Sequence, residues 1–506
     1  MRKFWIVLIA LGLIAAFSMP ASAADVKFSG SYYVQGWYSH NSSLIDQDDP
    51  SMLPADGNRG AASLFHQRLR VETQFKVAEG LFLTTRFDAL ERNWGDRRER
   101  NVNAAPYATP STVATVETAS RRADHTYTDV VDGKGLTNSA TDSIAGVYGT
   151  QEQANIEFER AYVTANLPFG QLNVGYYQDI AWGTTFLDTV TTRPAIGLAI
   201  PVNNWTFVLK WKKNLEGSMP GYNGTGGIND SDADIYDAAF MYKAKTWEAG
   251  VLFEYGDSRA NKVSDSATYV NAAGVVTPLP SFATSLYAAL PYFKATFGPL
   301  YLEGEGLYAF GTQKEYDNAK FGEDVDWEGW SVYLHAKYDL KPMYFGLMGI
   351  YITGDDPNSK DKVEGGINSV LVAGQAFKPA LILWNDDYYT AMGGGLVART
   401  STGDPISLPF MDNTLFFQAY VGVKPTPKWD VVFKYSYAMA DEKPLNYVDD
   451  FYGHEFDLVA TYKIFDNLSY MVGAAYLMTG DYFMGANPNA KVEDNYMLMH
   501  QLTLTF

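Results

Sequence analysis

Residues 64–92 read LFHQRLRVETQFKVAEGLFLTTRFDALER. Two runs alternate strictly around the interruption Ala78-Glu79-Gly80. In the first, Phe65, Leu69, Val71, Phe75 and Val77 take one side, and His66, Arg68, Arg70, Glu72, Gln74 and Lys76 take the other. In the second, Leu83, Phe87 and Ala89 stand against Thr84, Arg86, Asp88 and Arg92. A period of two with one apolar face is a strand, and two such runs across a glycine-ended gap are a hairpin. If Gly80 takes the left-handed position of a three-residue loop, Val77 faces Leu81, and the register carries Phe75 to Leu83 and Val71 to Phe87. On the charged face Glu72 then meets Arg86, and Arg70 meets Asp88.

The same unit recurs along the chain. Strand pairs with short gaps are expected at 154–167/171–180, 191–200/204–213, 235–245/247–256, 284–297/299–311, 329–340/343–353, 412–424/428–440 and 454–464/468–479. A first strand at 25–38 and a last at 495–506 bring the count to 18, within a range of 16–20. Between the pairs lie longer stretches rich in Gly, Asp, Asn, Ser and Pro: 39–62, 93–153, 214–234, 257–283, 312–328, 354–411, 441–453 and 480–494. A soluble sandwich has no reason to put its short turns at one end and its long loops at the other. A meander that repeatedly crosses a membrane does, with apolar side chains toward lipid and polar ones inward. Trp205, Phe207, Leu209 and Trp211, then Trp330, Val332, Leu334, Ala336 and Tyr338, show that dyad, as do Trp429, Val431, Phe433, Tyr435 and Tyr437. The fold class expected is all-β: one transmembrane antiparallel meander β-barrel over residues 24–506, with long external loops at 93–153, 257–283 and 354–411.

Both ends of the chain fit. Arg2 and Lys3 precede an apolar run from Phe4 to Phe17, and Ala21-Ser22-Ala23 follows, so residues 1–23 read as a cleaved secretory signal peptide. No later stretch is long and apolar enough for a membrane helix. Cysteine is absent, so an exported chain has no disulfide staples and relies on a continuous hydrogen-bonded framework or on sheer size. Without Arg2 and Lys3 the chain carries 37 basic and 58 acidic side chains, which excludes nucleic acid as a partner. The last eight residues, MHQLTLTF (499–506), alternate up to a bare terminal aromatic. Val26, Phe28, Tyr32 and Val34 of the first strand keep the same phase, so pairing of the two terminal strands removes the sheet edge.

The ending Leu502, Leu504, Phe506 resembles the carboxy-terminal signature of Gram-negative outer-membrane proteins, and ERAYVTANLPFGQLNVGYYQD (159–179) resembles a hairpin region of general porins. The resemblance implies an outer-membrane porin. It further implies contact with outer-membrane lipid and lipopolysaccharide, insertion by the barrel assembly machinery through that terminal signal, small hydrophilic solutes as cargo, and a homotrimer as a form the class adopts. Strand number and a charged interior also give a more distant resemblance to the alginate exporter family.

The inward face should carry selectivity. Arg68, Arg70, Glu72, Arg86 and Asp88, joined by Arg160 from a strand whose outward set is Ala161, Val163 and Ala165, make a cluster of arginines held by carboxylates. Fixed charges at a narrow point set ion preference in water-filled barrels; the plain alternative is salt-bridged lumen filler. Glu303 and Glu305 share one inward face, as do Glu248 and Glu254, and would set up a transverse field if they oppose the arginines. The stretch SVLVAGQAFKPALILW within 354–411 is too apolar to hang in water, so it either constricts the barrel mouth or adds a hairpin. Asp355, Asp356, Asn358 and Asp361 offer oxygen ligands to calcium without EF-hand spacing, so a solvated loop is the stronger reading and no cofactor is expected. No zinc-protease, nucleophile-elbow or Walker pattern supports an enzyme. The leading function is passive diffusion of small solutes or ions; the alternatives are a substrate-specific channel or exporter for anionic saccharide or polysaccharide, and a structural or adhesive barrel.

Overall fold

The computed structural model describes residues 25–42, 44, 46, 61–95, 156–217, 231–263, 268–270, 276–371, 373–385, 387, 398–399, 405–406 and 411–506. Eighteen strands form one antiparallel meander. The first nine are β1 (Asp25–Ser39), β2 (Ala62–Ala78), β3 (Leu81–Asn93), β4 (Ile156–Leu167), β5 (Gly170–Gln178), β6 (Thr192–Val202), β7 (Trp205–Leu215), β8 (Ala233–Lys243) and β9 (Trp247–Ser258). The other nine are β10 (Phe282–Phe297), β11 (Leu300–Tyr316), β12 (Val325–Leu340), β13 (Met343–Ile352), β14 (Thr414–Val423), β15 (Trp429–Met439), β16 (Phe451–Phe465), β17 (Leu468–Thr479) and β18 (Asn495–Thr505). Each pairs with its neighbours in sequence, and β1 also pairs with β18, so the sheet closes into a barrel and none of these eighteen strands is left as an edge. The signal segment 1–23 and most of 93–153 lie outside the described residues.

The terminal strand meets the first in the expected phase, with Leu504 opposite Tyr32 and Leu502 opposite Val34. Phe506 exchanges backbone hydrogen bonds with Gly30, at 2.8 and 3.1 Å. A Cβ on Gly30 would come within 2.2 Å of the Arg70 carbonyl oxygen and 2.8 Å of the Phe506 ring, so the glycine admits both the close approach of β2 and the terminal aromatic across the seam.

Outward faces are apolar around the barrel. Leu209 is 58% exposed and Leu347 65%, a degree of apolar exposure that only a hydrocarbon surrounding makes favourable over so continuous a band. Toward the long-connection end, Trp211, Tyr236, Tyr255, Tyr287 and Phe310 stand opposite one another in register across five strands. Toward the short turns, Trp205 packs on Tyr242 and Trp429 on Tyr462, with ring centroids 5.0 and 4.8 Å apart. Aromatic rows at two levels are the interfacial girdles of a membrane barrel.

Two details of the first hairpin depart from expectation. Ala78, not Val77, pairs with Leu81 around a two-residue turn in which Gly80 has φ +73°, and Val77 is left out of the ladder; from Phe75 to Arg70 the pairing is as expected. A second irregularity at Leu90 (φ 52°) shifts the phase, so Glu91 joins the inner face beside Arg68, while Arg92 pairs with Gln67 on the opposite face.

The stretch 354–411 adds no hairpin to the barrel wall. Its described part runs through a two-residue strand, Lys362–Val363, parallel to β12, and a short helix, Ile367–Leu371. It then folds into the interior, where Phe377, Leu381, Ile382, Leu383 and Trp384 are buried, the Trp384 ring meeting Phe416 and Tyr452 edge-on and the Phe377 ring meeting Phe186 and Tyr333. A second inward segment, residues 179–191 between β5 and β6, covers the gap 181–190, to which no loop is assigned from sequence, and takes Asp179, Ile180 and Thr191 from the strands expected on either side. Ile180, Phe186 and Leu187 are buried inside the barrel.

Candidate functional site

The alternation that puts apolar residues into lipid turns the charged ones onto the inner wall. Arg68 and Arg70 on β2, Arg86 on β3 and Arg160 on β4 come together there, and Arg86 and Arg160 are register partners. Arg70 makes a two-pronged pair with Asp88, Nε to Oδ1 at 2.7 Å and Nη2 to Oδ2 at 2.5 Å. Arg68 reaches Glu91 at 3.3 Å, and its guanidinium lies 5.0 Å from the centre of the Tyr33 ring. Arg86 pairs with Glu159 at 3.2 Å. Glu72 sits opposite Arg86 in the ladder, but its carboxylate approaches Arg160, at 3.9 Å. Four guanidiniums are therefore matched by Asp88, Glu91, Glu159 and Glu72, and the patch is close to neutral in sum although rich in charge.

Arg160 has a further task. Its Nη2 donates to Gln178 Oε1 at 2.7 Å, and Gln178 Nε2 donates to Thr189 O at 2.8 Å and Ile180 O at 3.3 Å. The arginine wall thereby holds the base of segment 179–191. From the other side, Asp179 is paired with Arg193 and, at 2.8 Å, with Lys212. Lys212 is completely buried and also contacts Glu254 at 2.6 Å and Asp237 at 3.2 Å. Lys210 donates to the carbonyls of Gln178 and Asp179. The alternation of β7 put Lys210 and Lys212 inward, and Glu254 was expected inside; Asp179 was missed because its link depends on the fold of segment 179–191, whereas Arg193 and Asp237 lie on β6 and β8, where Asp237 stands opposite both Lys210 and Glu254 in the ladder.

Glu303 and Glu305 do share an inward face, but neither carboxylate is free. Glu303 accepts hydrogen bonds from Tyr333 at 2.7 Å and Tyr301 at 2.8 Å, with His335 Nδ1 at 3.3 Å. Glu305 is 3% exposed and accepts from the Thr184 amide at 3.1 Å and the Thr184 hydroxyl at 2.6 Å. Glu248, nearer the short turns, pairs with Lys243 at 3.2 Å. Within segment 179–191, burial pushes the Asp188 carboxyl up to about 6, against the pull of the Trp182 amide and the Lys294 ammonium.

The weak metal candidates are used locally. Asp356 accepts from Asn358, and Asp355 from the Glu364 amide; among the described residues no group of three or more His, Cys, Asp or Glu side chains is arranged to hold a metal ion.

No family model matches this sequence, and no curated protein is significantly similar to it. Among solved structures, OccK8 (OprE) of Pseudomonas aeruginosa is similar with a TM-score of 0.47 and 11% identity, over 95% of this chain and 98% of that one. OccK2 (OpdF) of the same organism, solved in complex with glucuronate, has a TM-score of 0.44 and 10% identity, over 95% and 97%. OmpT, an outer membrane protein of Vibrio cholerae in a trimer form, has a TM-score of 0.39 and 9% identity, over 96% and 100%.

Proposed function

We propose that the chain is an outer-membrane porin: a channel through which small hydrophilic solutes or ions diffuse, narrowed by the inward segments 179–191 and 373–385. The observation that carries this is the segregation of side chains across the closed wall, with aromatic and aliphatic groups exposed outside and Arg68, Arg70, Glu72 and Arg160 partly exposed inside. A wall of 18 strands encloses more space than its own side chains fill. Charged groups lining water at a constriction select by sign, and a balanced patch of guanidiniums and carboxylates gives modest preference. The short turns face the periplasm and the long connections the exterior, as in bacterial barrels. Lipopolysaccharide contacts the upper girdle, the assembly machinery reads Leu502, Leu504 and Phe506, and the oligomer, where formed, is a trimer. Catalysis and a bound cofactor have no part in this reading.

Swelling of proteoliposomes in sugars of increasing size tests it. Swelling that falls with solute size supports a diffusion channel. Equal exclusion of the smallest sugars and of salt by folded protein refutes it.

A further inference from the structure

Two inward segments far apart in sequence each have a buried glutamate of the wall among their anchors. On β16, Glu455 is fully buried; its Oε1 accepts the amides of Leu381 at 3.0 Å and Ile382 at 2.7 Å, and its Oε2 accepts that of Leu383 at 2.8 Å. Three successive amides on one carboxyl group make a three-point anchor. Pro379 O is fixed as well, by Gln418 Nε2 at 2.8 Å and Lys434 Nζ at 2.9 Å. On β11, Glu305 holds the other segment through Thr184.

The segments also grip each other. The Phe186 ring stacks on Tyr333 of the wall, with centroids 5.1 Å apart, and meets the Phe377 ring edge-on at 5.4 Å. Gln375 Oε1 accepts both the Val190 amide and the Thr191 hydroxyl, each at 3.2 Å. A segment pulled off its own glutamate must break this shared contact or carry the other segment with it.

We infer that Glu305 and Glu455 are positioning residues for a single constriction: the two segments form one bridge inside the barrel, and loosening either anchor loosens both. This rests on the channel reading for its effect on flux, but the linkage itself is a property of the fold. Coupling of this kind needs an element with shared contacts whose equilibrium both ends bias, and the Phe186–Phe377 and Gln375 contacts supply it.

The chain has no cysteine, so a single introduced thiol reports unambiguously. Leu187→Cys and Ala380→Cys place reporters at positions that are 0% and 2% exposed, one in each segment. Each is combined with Glu455→Ala or Glu305→Ala in refolded barrels checked for heat-modifiable migration, and labelled with a small methanethiosulfonate. Both reporters should be protected with the glutamates intact. Glu455→Ala should speed labelling at both 380 and 187 by about tenfold or more, and Glu305→Ala should do the same in reverse. Acceleration at only the nearer reporter means two independent loops, and unchanged labelling at both means that the glutamates do not hold them; either overturns the inference. In the same proteins, open-channel current should rise in both variants. Normal wild-type current with accelerated labelling confined to one segment would refute the linkage alone, whereas linked labelling without any wild-type current would refute the channel reading alone.

Discussion

Replacing Lys212 by methionine keeps the side-chain volume and removes the only charge at its end. The ammonium is fully buried and in contact with Asp179, Asp237 and Glu254, at 2.8, 3.2 and 2.6 Å. Asp179 retains Arg193, but Asp237 and Glu254 lose the cation they share. A buried carboxylate without its partner takes up a proton, and for an ordinary Glu near pKa 4.3 that costs about 3.7 kcal/mol at pH 7, at about 1.4 kcal/mol per unit. This agrees with the roughly 3–5 kcal/mol measured when one member of a buried ion pair is removed. At pH 5 the same protonation costs about 1 kcal/mol, so the deficit of Lys212→Met should shrink by most of its value on acidification. Urea unfolding of the barrel from lipid vesicles, followed by tryptophan fluorescence, measures both numbers. Adding Glu254→Gln to Lys212→Met should restore most of the stability, because one cation and one carboxylate are then removed together and Lys210 and Arg193 remain beside Asp179 and Asp237. A Lys212→Met deficit below about 0.5 kcal/mol at pH 7, or one that does not change with pH, would refute the view that this lysine compensates the buried charge shared by Asp237 and Glu254.

Deletion of Phe506 or Phe506→Asp should lower outer-membrane levels of heat-modifiable barrel without reducing export, because the Gly30–Phe506 contact closes the seam; immunoblotting of membrane fractions checks this. Arg70→Glu combined with Arg86→Glu shifts the inner patch by four units of charge and should move the zero-current potential in a salt gradient toward cations, and it should also destabilise the wall because Asp88 is only 3% exposed. With Asp188 titrating at about 6, raising the pH from 5 to 7 adds a negative charge to segment 179–191 and should shift selectivity toward cations, and Asp188→Asn should abolish that shift in reversal-potential measurements.

The wall was legible because its rule is local. A strand between lipid and a polar interior repeats every two residues, so Trp205 to Trp211 or Phe65 to Val77 reveals both the element and its faces. The register of Arg70 with Asp88 and Glu72 with Arg86 agrees with expectation because the irregularity at Val77 offsets the shorter, two-residue turn. The irregularities at Val77 and Leu90 were not legible, since a bulge changes phase without changing composition. Nor were the ion-pair partners: Glu72 leans to Arg160 because guanidiniums reach across strands, and their pairing is decided in three dimensions. Segment 179–191 was the largest omission. Its sequence DIAWGTTFLDTVT breaks the alternation yet carries Ile180, Trp182, Phe186 and Leu187, too much apolar surface for an exposed loop. The same mismatch in 354–411 pointed to either a constriction of the barrel mouth or an extra hairpin, and the first is what forms. Glu455 and Asp457 were readable as inward positions between the outward Phe456 and Leu458, but only the folded-in segment gives Glu455 its three amides.

The central claim, that this barrel encloses a continuous water-filled path past its inward segments, is tested most directly by single-channel recording of the purified, heat-modifiable protein in planar lipid bilayers. Stepwise current increments whose size grows with salt concentration are expected, with larger steps in Glu455→Ala and Glu305→Ala. Insertion of folded barrels that yields no steps in the wild type or in either variant would contradict the claim.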